Sequence, residues 1–264
     1  MKIFSKQELI NELIKISRLG WIKNNRSGNQ GGIGNTLEDL LGIEENNLPI
    51  PNASEWELKT QRRNTSSLTT LFHMEPSPRA LRVVPNILLP LYGWRHKEAG
   101  KKYALNEMSF RQTIGGKRSS DRGFQVVIDR SAKKIKVTFN PDIVDNKHNA
   151  WLNQVIQNTR NAEFIEPYWG FRDLSNKAGT KLLNCFYIEA EVKKINKEEY
   201  FKYSRILMLE NFEFDKFLKA LEENNILIDF DARTGHNHGT KFRLRRNHFE
   251  ELYKTHKQIL DLKY

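Results

Sequence analysis

Apolar residues recur at helical spacing near the start of the chain. Leu9, Ile10, Leu13, Ile14 and Ile16 form a stripe, and Ser5 followed by Glu8 has the form of a capping box, so a helix is predicted over 5–17. Residues 24–35 are rich in Gly and Asn and read as an irregular loop, ended by Thr36 and Asp39 as the N-cap and third position of a short helix reaching Leu41. Beyond it alternation dominates. Strands are predicted over 56–61, 68–73, 109–113, 124–129 and 135–139, the last two joined as a hairpin across 130–134. A helix over 151–158, strands around 182–192 and 203–209, a helix over 214–223, strands over 226–230 and 241–245 and a closing helix from about His248 complete the pattern. Strands interleaved with helices, without internal repeats or low-complexity tracts, indicate a mixed α/β or α+β chain.

Composition narrows the class. With 264 residues, 38% hydrophobic and 11% aromatic, the chain can bury a core as one large domain or two smaller lobes. Its best apolar run, residues 87–94, is broken by Pro90, and the opening Met1-Lys2-Ile3-Phe4 leads into a charged helix rather than a signal peptide; no membrane span is expected, and a cytoplasmic protein is. The single cysteine, Cys185, lies in the apolar run 182–188 and can form neither an internal disulfide nor a cysteine-based zinc site. The net charge is +11, and residues 1–60 hold 7 Lys+Arg against 8 Asp+Glu, so the positive excess lies wholly in the later part of the chain. A field of that sign suits a polyanion, because each phosphate neutralised releases counterions. A basic solvated surface without a partner has the same composition.

The segment Glu55-Trp56-Glu57-Leu58-Lys59 alternates strictly. As a strand it puts Glu55, Glu57 and Lys59 on one face and Trp56 and Leu58 on the other. Phosphodiester hydrolysis needs such a set: hard oxygen ligands for Mg²⁺ and a nearby cation that orients the attacking water. Glu189-Ala190-Glu191-Val192-Lys193 repeats the arrangement, and periodicity leaves both copies open. Their surroundings differ. The first copy follows a Gly/Asn-rich loop, Glu38 and Asn52; the second has Asp173 and Glu166 upstream and no comparable loop.

Gly34-Asn35-Thr36-Leu37-Glu38-Asp39-Leu40-Leu41-Gly42, followed by Glu57-Leu58-Lys59-Thr60, resembles the opening of the MvaI/BcnI-like restriction endonucleases. Those enzymes are relatives of the mismatch-repair nicking enzyme MutH within the PD-(D/E)xK nuclease superfamily. Downstream, the segment Asp231-Ala232-Arg233-Thr234-Gly235-His236-Asn237-His238-Gly239-Thr240-Lys241-Phe242-Arg243 is similar to the family's DNA-recognition segment. The resemblance selects the first copy. It implies a restriction-endonuclease-like core, a mixed β-sheet flanked by helices, with a catalytic lobe over 1–150 and a second, DNA-recognition lobe over 151–264.

Carried over by residue, Glu57 resembles the family's metal-ligand glutamate, the Leu58 carbonyl a further ligand, Lys59 the active-site lysine and Glu38 the upstream glutamate of the subgroup. The family has an aspartate just before the Glu-x-Lys strand, where this chain has Asn52. An Asn carbonyl can bind Mg²⁺, but the lost negative charge weakens the site. Glu55 is expected to supply the missing carboxylate, and unchanged cleavage in Glu55→Ala would contradict that.

In the C-terminal segment, Gly235 and Gly239 bracket His236-Asn237-His238, a tight loop expected to expose both imidazoles. Two histidines can ligate zinc, but no third ligand is evident beyond Asp231, and base recognition accounts better for the set. Arg donates bidentately to guanine, Asp accepts from cytosine, and His does either by tautomer. Asp231 and Arg233, on alternate positions, make such a pair. Lys241, Arg243 and Arg245 share one face of a strand, facing phosphate or base, although charge also keeps ordinary edge strands from aggregating. The loop 115–122 offers a second phosphate clamp, with Gly115 and Gly116 giving Lys117 and Arg118 close access. His73 reads as a structural histidine.

The function expected is a Mg²⁺-dependent, sequence-specific double-stranded DNA endonuclease of the type II restriction kind. The resemblance further implies a monomer that nicks each strand in turn at a short G·C-rich site, leaving 5′-phosphate and 3′-hydroxyl ends, and a cognate DNA methyltransferase that protects the host. Two alternatives stand beside it: a DNA-binding protein of the same fold whose nuclease site has decayed at Asn52, and a structure-specific repair nuclease.

Overall fold

Ser5 opens the first helix as its spacing predicts. In the computed structural model, which describes residues 4–24, 26, 32–43, 55–63, 65–160 and 164–262, helix α1 (Lys6–Arg18) carries the full capping box. The Glu8 amide donates to Ser5 Oγ at 3.3 Å and the Ser5 amide to Glu8 Oε2 at 2.8 Å, pairing N–H groups near the helix start that would otherwise lack partners. The chain continues through β1 (Ile22–Lys23), α2 (Gly32–Leu41), β2 (Glu57–Arg62), β3 (Thr69–His73), a π-helical turn (Val84–Leu88), α3 (Leu89–Tyr92), β4 (Trp94–Arg95) and β5 (Met108–Ile114). Strands β6 (Phe124–Asp129) and β7 (Lys134–Phe139) form the predicted hairpin, with Ile128 opposite Ile135. After α4 (Asn149–Asn158), β8 (Tyr168–Gly170) and α5 (Phe171–Leu182) come the long strands β9 (Asn184–Ile195) and β10 (Glu198–Phe212). Helix α6 (Phe214–Glu222), β11 (Ile226–Arg233), β12 (His236–Asn237), β13 (Lys241–Leu244) and β14 (Tyr253–Asp261) complete the order. The mixed α/β class expected from the sequence is the one observed.

Three expectations are corrected. Helix α2 starts at Gly32, not at Thr36, and Thr36 is buried inside it instead of capping it. Glycine there serves packing: a Cβ at Gly34 would lie 3.3 Å from Thr60 Oγ1 on β2. The chain does not end in a helix, because residues 253–261 pair antiparallel with β10. Nor does it divide near residue 150. One unit comprises residues 1–69, 176–216 and 245–264, the other 70–175 and 217–244. The reason is pairing over long sequence distances: β2 takes β9 as its parallel neighbour, Glu57 opposite Cys185.

The first unit is built on a five-stranded sheet of order β1-β10-β9-β2, with β14 also on β10. Its strands are antiparallel except for the β2–β9 pair. One face carries Trp56, Leu58, Phe186, Ile188, Tyr203 and Ile206, which pack with Leu9, Leu13 and Ile16 of α1 and Leu37 and Leu41 of α2. Burying each such side chain contributes roughly 1.5–3 kcal/mol. The opposite face carries Glu57, Lys59 and Gln61 beside Cys185, Tyr187 and Glu189.

The second unit holds a sheet of order β3-β13-β11-β5-β4, with β12 on β11, and a separate β6-β7-β8 sheet. Its cores are aromatic: Phe110 packs on Phe124 and Phe230, and Phe242 on Phe72, Phe217 and Trp169.

Candidate functional site

Edge strand β2 displays the Glu-x-Lys pair. Alternation turns Leu58 into the core and leaves Glu57 and Lys59 side by side, with Lys59 Nζ donating to Glu57 Oε1 at 2.7 Å. Glu57 is only 4% exposed, yet among the described residues its Oε2 makes no hydrogen bond. Lys181, in the last turn of α5, brings its ammonium to 3.8 Å from that atom, an ion-pair separation too long for a hydrogen bond. Burial depresses the Lys181 pKa below the ordinary lysine value; Lys59 and Lys177 act in the same direction, and Glu57 opposes them. One carboxylate thus sits between two ammoniums, with an unsatisfied oxygen in a setting where a lone buried polar atom is costly.

Cys185, opposite Glu57 in the register, is no nucleophile. Burial pushes its thiol up to about 12. A native sample titrated with a disulfide reagent at pH 8 is expected to show no fast-reacting thiol, and the unfolded chain one.

In the second copy Glu191, the counterpart of Glu57, is 9% exposed and its Oε1 also makes no hydrogen bond among the described residues, while Glu189, the counterpart of Glu55, is tied into ion pairs. Glu189 is 1% exposed and fully engaged. Arg246 donates to its Oε1 from Nε at 3.0 Å and Nη2 at 2.9 Å, and Arg205 reaches Oε2 at 3.3 Å. Arg205 continues to Glu250 Oε1 at 3.1 Å, whose other oxygen lies 3.3 Å from His256 Nε2. A metal at Glu189 would have to displace two guanidiniums.

Glu38 and Glu55 do not form a three-carboxylate metal-ligand cluster with Glu57. Glu38 is half-buried on α2, one turn beyond the Gly34 that approaches β2. Glu55 does not share the strand face, because it precedes β2 in an exposed turn. Asn52 lies outside the described residues. Among the described residues no three His, Cys, Asp or Glu side chains form a metal-ligand cluster. The residues present nonetheless fit a hard cation at Glu57, since Oε2 is a buried anionic oxygen without a hydrogen bond among the described residues.

In the second unit, the segment singled out for recognition runs through the end of β11, a tight turn, β12 and β13. Arg233 ends β11, Gly235 turns the chain at φ +69°, and His236 returns opposite Arg233. His236 and His238 are both exposed, with Nε2 and Nδ1 3.3 Å apart, and Asn237 Oδ1 accepts from the Gly239 amide at 3.0 Å. His73 ends β3, exposed, and a Cβ at Gly239 would lie 3.5 Å from its Cδ2.

Alternation on β13 places Lys241 and Arg243 together as expected, but each is paired with β11: Lys241 to Asp231 at 3.2 Å and Arg243 to Asp229 at 3.2 Å. Arg111 of β5, 66% exposed, flanks Asp231 at 3.4 Å. Arg245 falls just beyond β13 and is exposed. The 115–122 loop uses its glycines otherwise than predicted. A Cβ at Gly115 would lie 2.1 Å from Asn224 Oδ1, and one at Gly116 2.7 Å from the Leu221 carbonyl, so both serve packing against the end of α6. Arg122 is sandwiched between Trp94 and Trp151.

Sequence reading missed Lys181, Arg111 and Glu107. Lys181 and Lys177 stand one turn apart on a helix that the pattern did not show, so their shared face had no local signal.

A mixed sheet flanked by helices, with a Glu-x-Lys pair on an edge strand, defines the restriction-endonuclease class of DNA nucleases. Over residues 10–253 the sequence matches the family model of the MvaI/BcnI restriction endonucleases, and the chain belongs to that family. It is accordingly a type II site-specific deoxyribonuclease, of a family that is generally metal-dependent. Its structure is similar to that of restriction endonuclease MvaI in complex with cognate DNA: 26% identity, TM-score 0.77, covering 97% of this chain and 100% of that one. The structure of MvaI without DNA matches at 25% identity and TM-score 0.52, over 96% and 98% of the two chains. No curated protein matches the chain. Among the described residues, no helix is long and apolar enough to cross a membrane.

Proposed function

We propose that this enzyme cuts both strands of duplex DNA at a short G·C-rich site using Mg²⁺, with Glu57 and Lys59 as the reacting pair. The observation that carries the reading is the buried Oε2 of Glu57, without a hydrogen bond among the described residues, on a carboxylate paired with Lys59 on the same strand face. Glu57, the Leu58 carbonyl, Asn52 and Glu38 would hold the metal. When bound, Mg²⁺ offsets charge on the phosphate and lowers the pKa of a coordinated water.

The chain's own side chains do the rest. Lys59 positions the attacking water and balances negative charge as the phosphate becomes pentavalent, and Lys181 adds a second cation on the same side. The unit holding Glu57 is read as the catalytic lobe. The unit holding Asp231, Arg233, His236, His238, Lys241 and Arg243 is read as the recognition lobe, with Arg245 contacting backbone phosphate from just past β13. Family likeness supports a monomer that nicks the strands in turn, leaves 5′-phosphate and 3′-hydroxyl ends, and is accompanied by a methyltransferase. A DNA substrate assigns its work to the cytoplasm.

The test is incubation of supercoiled plasmid and phage DNA with purified protein, with Mg²⁺ and with EDTA, sequencing the fragment ends. Discrete Mg²⁺-dependent fragments are expected. Intact DNA that is still shifted on a gel would mean a decayed nuclease, and uniform cutting of branched DNA a structure-specific one. Asn52→Asp is expected to lower the Mg²⁺ concentration needed for half-maximal cleavage by about tenfold, as an added negative ligand should. An unchanged Mg²⁺ titration would remove Asn52 from the ligand set.

A further inference from the structure

Arg233 differs from the other cations of the β5–β11–β13 sheet in how firmly it is held. Its Nη1 donates to Glu107 Oε1 at 2.9 Å and reaches the Thr234 carbonyl at 3.5 Å, and its Cζ stands 4.7 Å from the centre of the Tyr103 ring. These supports are themselves fixed. Glu107, its side chain 8% exposed, accepts through its carbonyl from the His96 amide at 2.8 Å and donates its amide to Ala104 at 3.1 Å. Tyr103 packs edge-on against His96, and its carbonyl accepts from Gly100, whose φ of +79° closes the loop. Thr234 is pinned to Met108 in both directions, at 2.9 and 3.2 Å.

What remains on Arg233 is one edge. Among the described residues Nε and Nη2 make no hydrogen bond, and the side chain is 31% exposed. A planar fork with two parallel donors matches the N7 and O6 acceptors of guanine. Phosphate oxygens accept the same fork, but the charge balance argues against them. The Arg233–Glu107 pair is neutral as a unit, so its Coulombic pull on a phosphate is cancelled while the direction of its donors is kept. An arginine meant to hold the backbone needs the opposite, net charge with latitude in orientation.

We propose that Glu107, with Tyr103, is a positioning residue that converts Arg233 from a general cation into a reader of one guanine, and so sets sequence specificity without touching DNA. The inference rests on the reading of Arg233 as a DNA contact.

The test compares wild type, Glu107→Gln, Tyr103→Leu and Arg233→Lys on the cleavage site established for the enzyme. Duplexes carry each G·C pair replaced in turn, or a single 7-deazaguanine, which lacks the N7 acceptor. Wild type is expected to discriminate at one G·C pair by about tenfold or more and to be sensitive to 7-deazaguanine there. In Glu107→Gln that discrimination and that sensitivity should collapse together. Affinity for unrelated duplex should rise, and the slope of log K against log salt should steepen by up to about 0.9, because the freed guanidinium now neutralises a phosphate. A merely structural role would lower affinity for every duplex alike and leave the slope alone.

Tyr103→Leu should show a weaker form of the same pattern, which keeps the test decisive if Glu107→Gln fails to fold. If Arg233→Lys abolishes discrimination at one pair and both other variants retain it, Glu107 and Tyr103 are not positioning residues and the proposal falls alone. If Arg233→Lys changes nothing, the reading of Arg233 as a DNA contact falls with it. Sensitivity only to removal of a phosphate charge, with none to 7-deazaguanine, would also overturn the guanine assignment.

Discussion

A Glu57→Gln enzyme should bind its DNA site and fail to cut it. The substitution keeps the shape of the side chain and removes the charge from a buried oxygen that has no hydrogen bond among the described residues. Metal affinity and transition-state charge balance are lost together, and cleavage is expected to fall by about 10³-fold or more. Stability should barely move. Lys59 and Lys181 are partly exposed and have long stems, so each can turn its ammonium to water when the carboxylate charge goes. Two measurements check this besides activity. Mg²⁺ should raise the thermal midpoint of wild type and not of the variant, and a gel shift in Ca²⁺ or EDTA should show the cognate duplex still bound in preference to others. Retained Mg²⁺-dependent cleavage would sink the assignment of Glu57.

The first glutamate of the other copy, Glu189, should respond in the opposite way. Glu189→Gln leaves Arg205 and Arg246, whose side chains are 23% and 25% exposed, converged by three hydrogen bonds on an amide that is itself buried and neutral. Breaking a buried ion network from one side costs about 3–5 kcal/mol. Urea unfolding should therefore show a large drop in midpoint with little change in slope, while the folded fraction still cuts. A stable, inactive Glu189→Gln would overturn the structural role given to Glu189. Two five-residue stretches with the same pattern would thus serve chemistry in one case and cohesion in the other.

That contrast marks how far the sequence could be read. The alternation of 55–59 correctly put Glu57 and Lys59 on one face, and helix α1 and the β6–β7 hairpin were legible for the same reason: their signals are local. The fate of Glu189 was not, since it depends on Arg205 and Arg246, 16 and 57 residues away. Strand β10 breaks its own period. Tyr203 pairs with Ala190 and Arg205 with Glu189, so a bulge at Ser204 carries the strand past one extra residue and reverses which side chains face the core. Strand β14 has no apolar alternation and is a strand because β10 offers it an edge. In α2, Gly32-Ile33-Gly34 looked like loop because glycine disfavours helix; here it permits close approach to Thr60. Among the site residues, Asp231, Arg233, Lys241 and Arg243 were named from the sequence, but the ion pairs that hold the three cations were not foreseen: Asp231 was named as a base reader, not as the partner of Lys241, and Asp229 and Glu107 were not named.

The chain passes between its two units four times, near residues 69, 175, 216 and 244, and the second and third passages fall inside helices α5 and α6. This has a genetic consequence. No single crossover in the gene can exchange one unit whole, and a cut at any one junction separates β2 from β9, β11 from β5 or β14 from β10. Exchange of the second unit between relatives would require two coordinated grafts, 70–175 and 217–244, each entering or leaving within a helix. New cutting specificities in this lineage should therefore accumulate by substitutions within the second unit rather than by shuffling of gene segments.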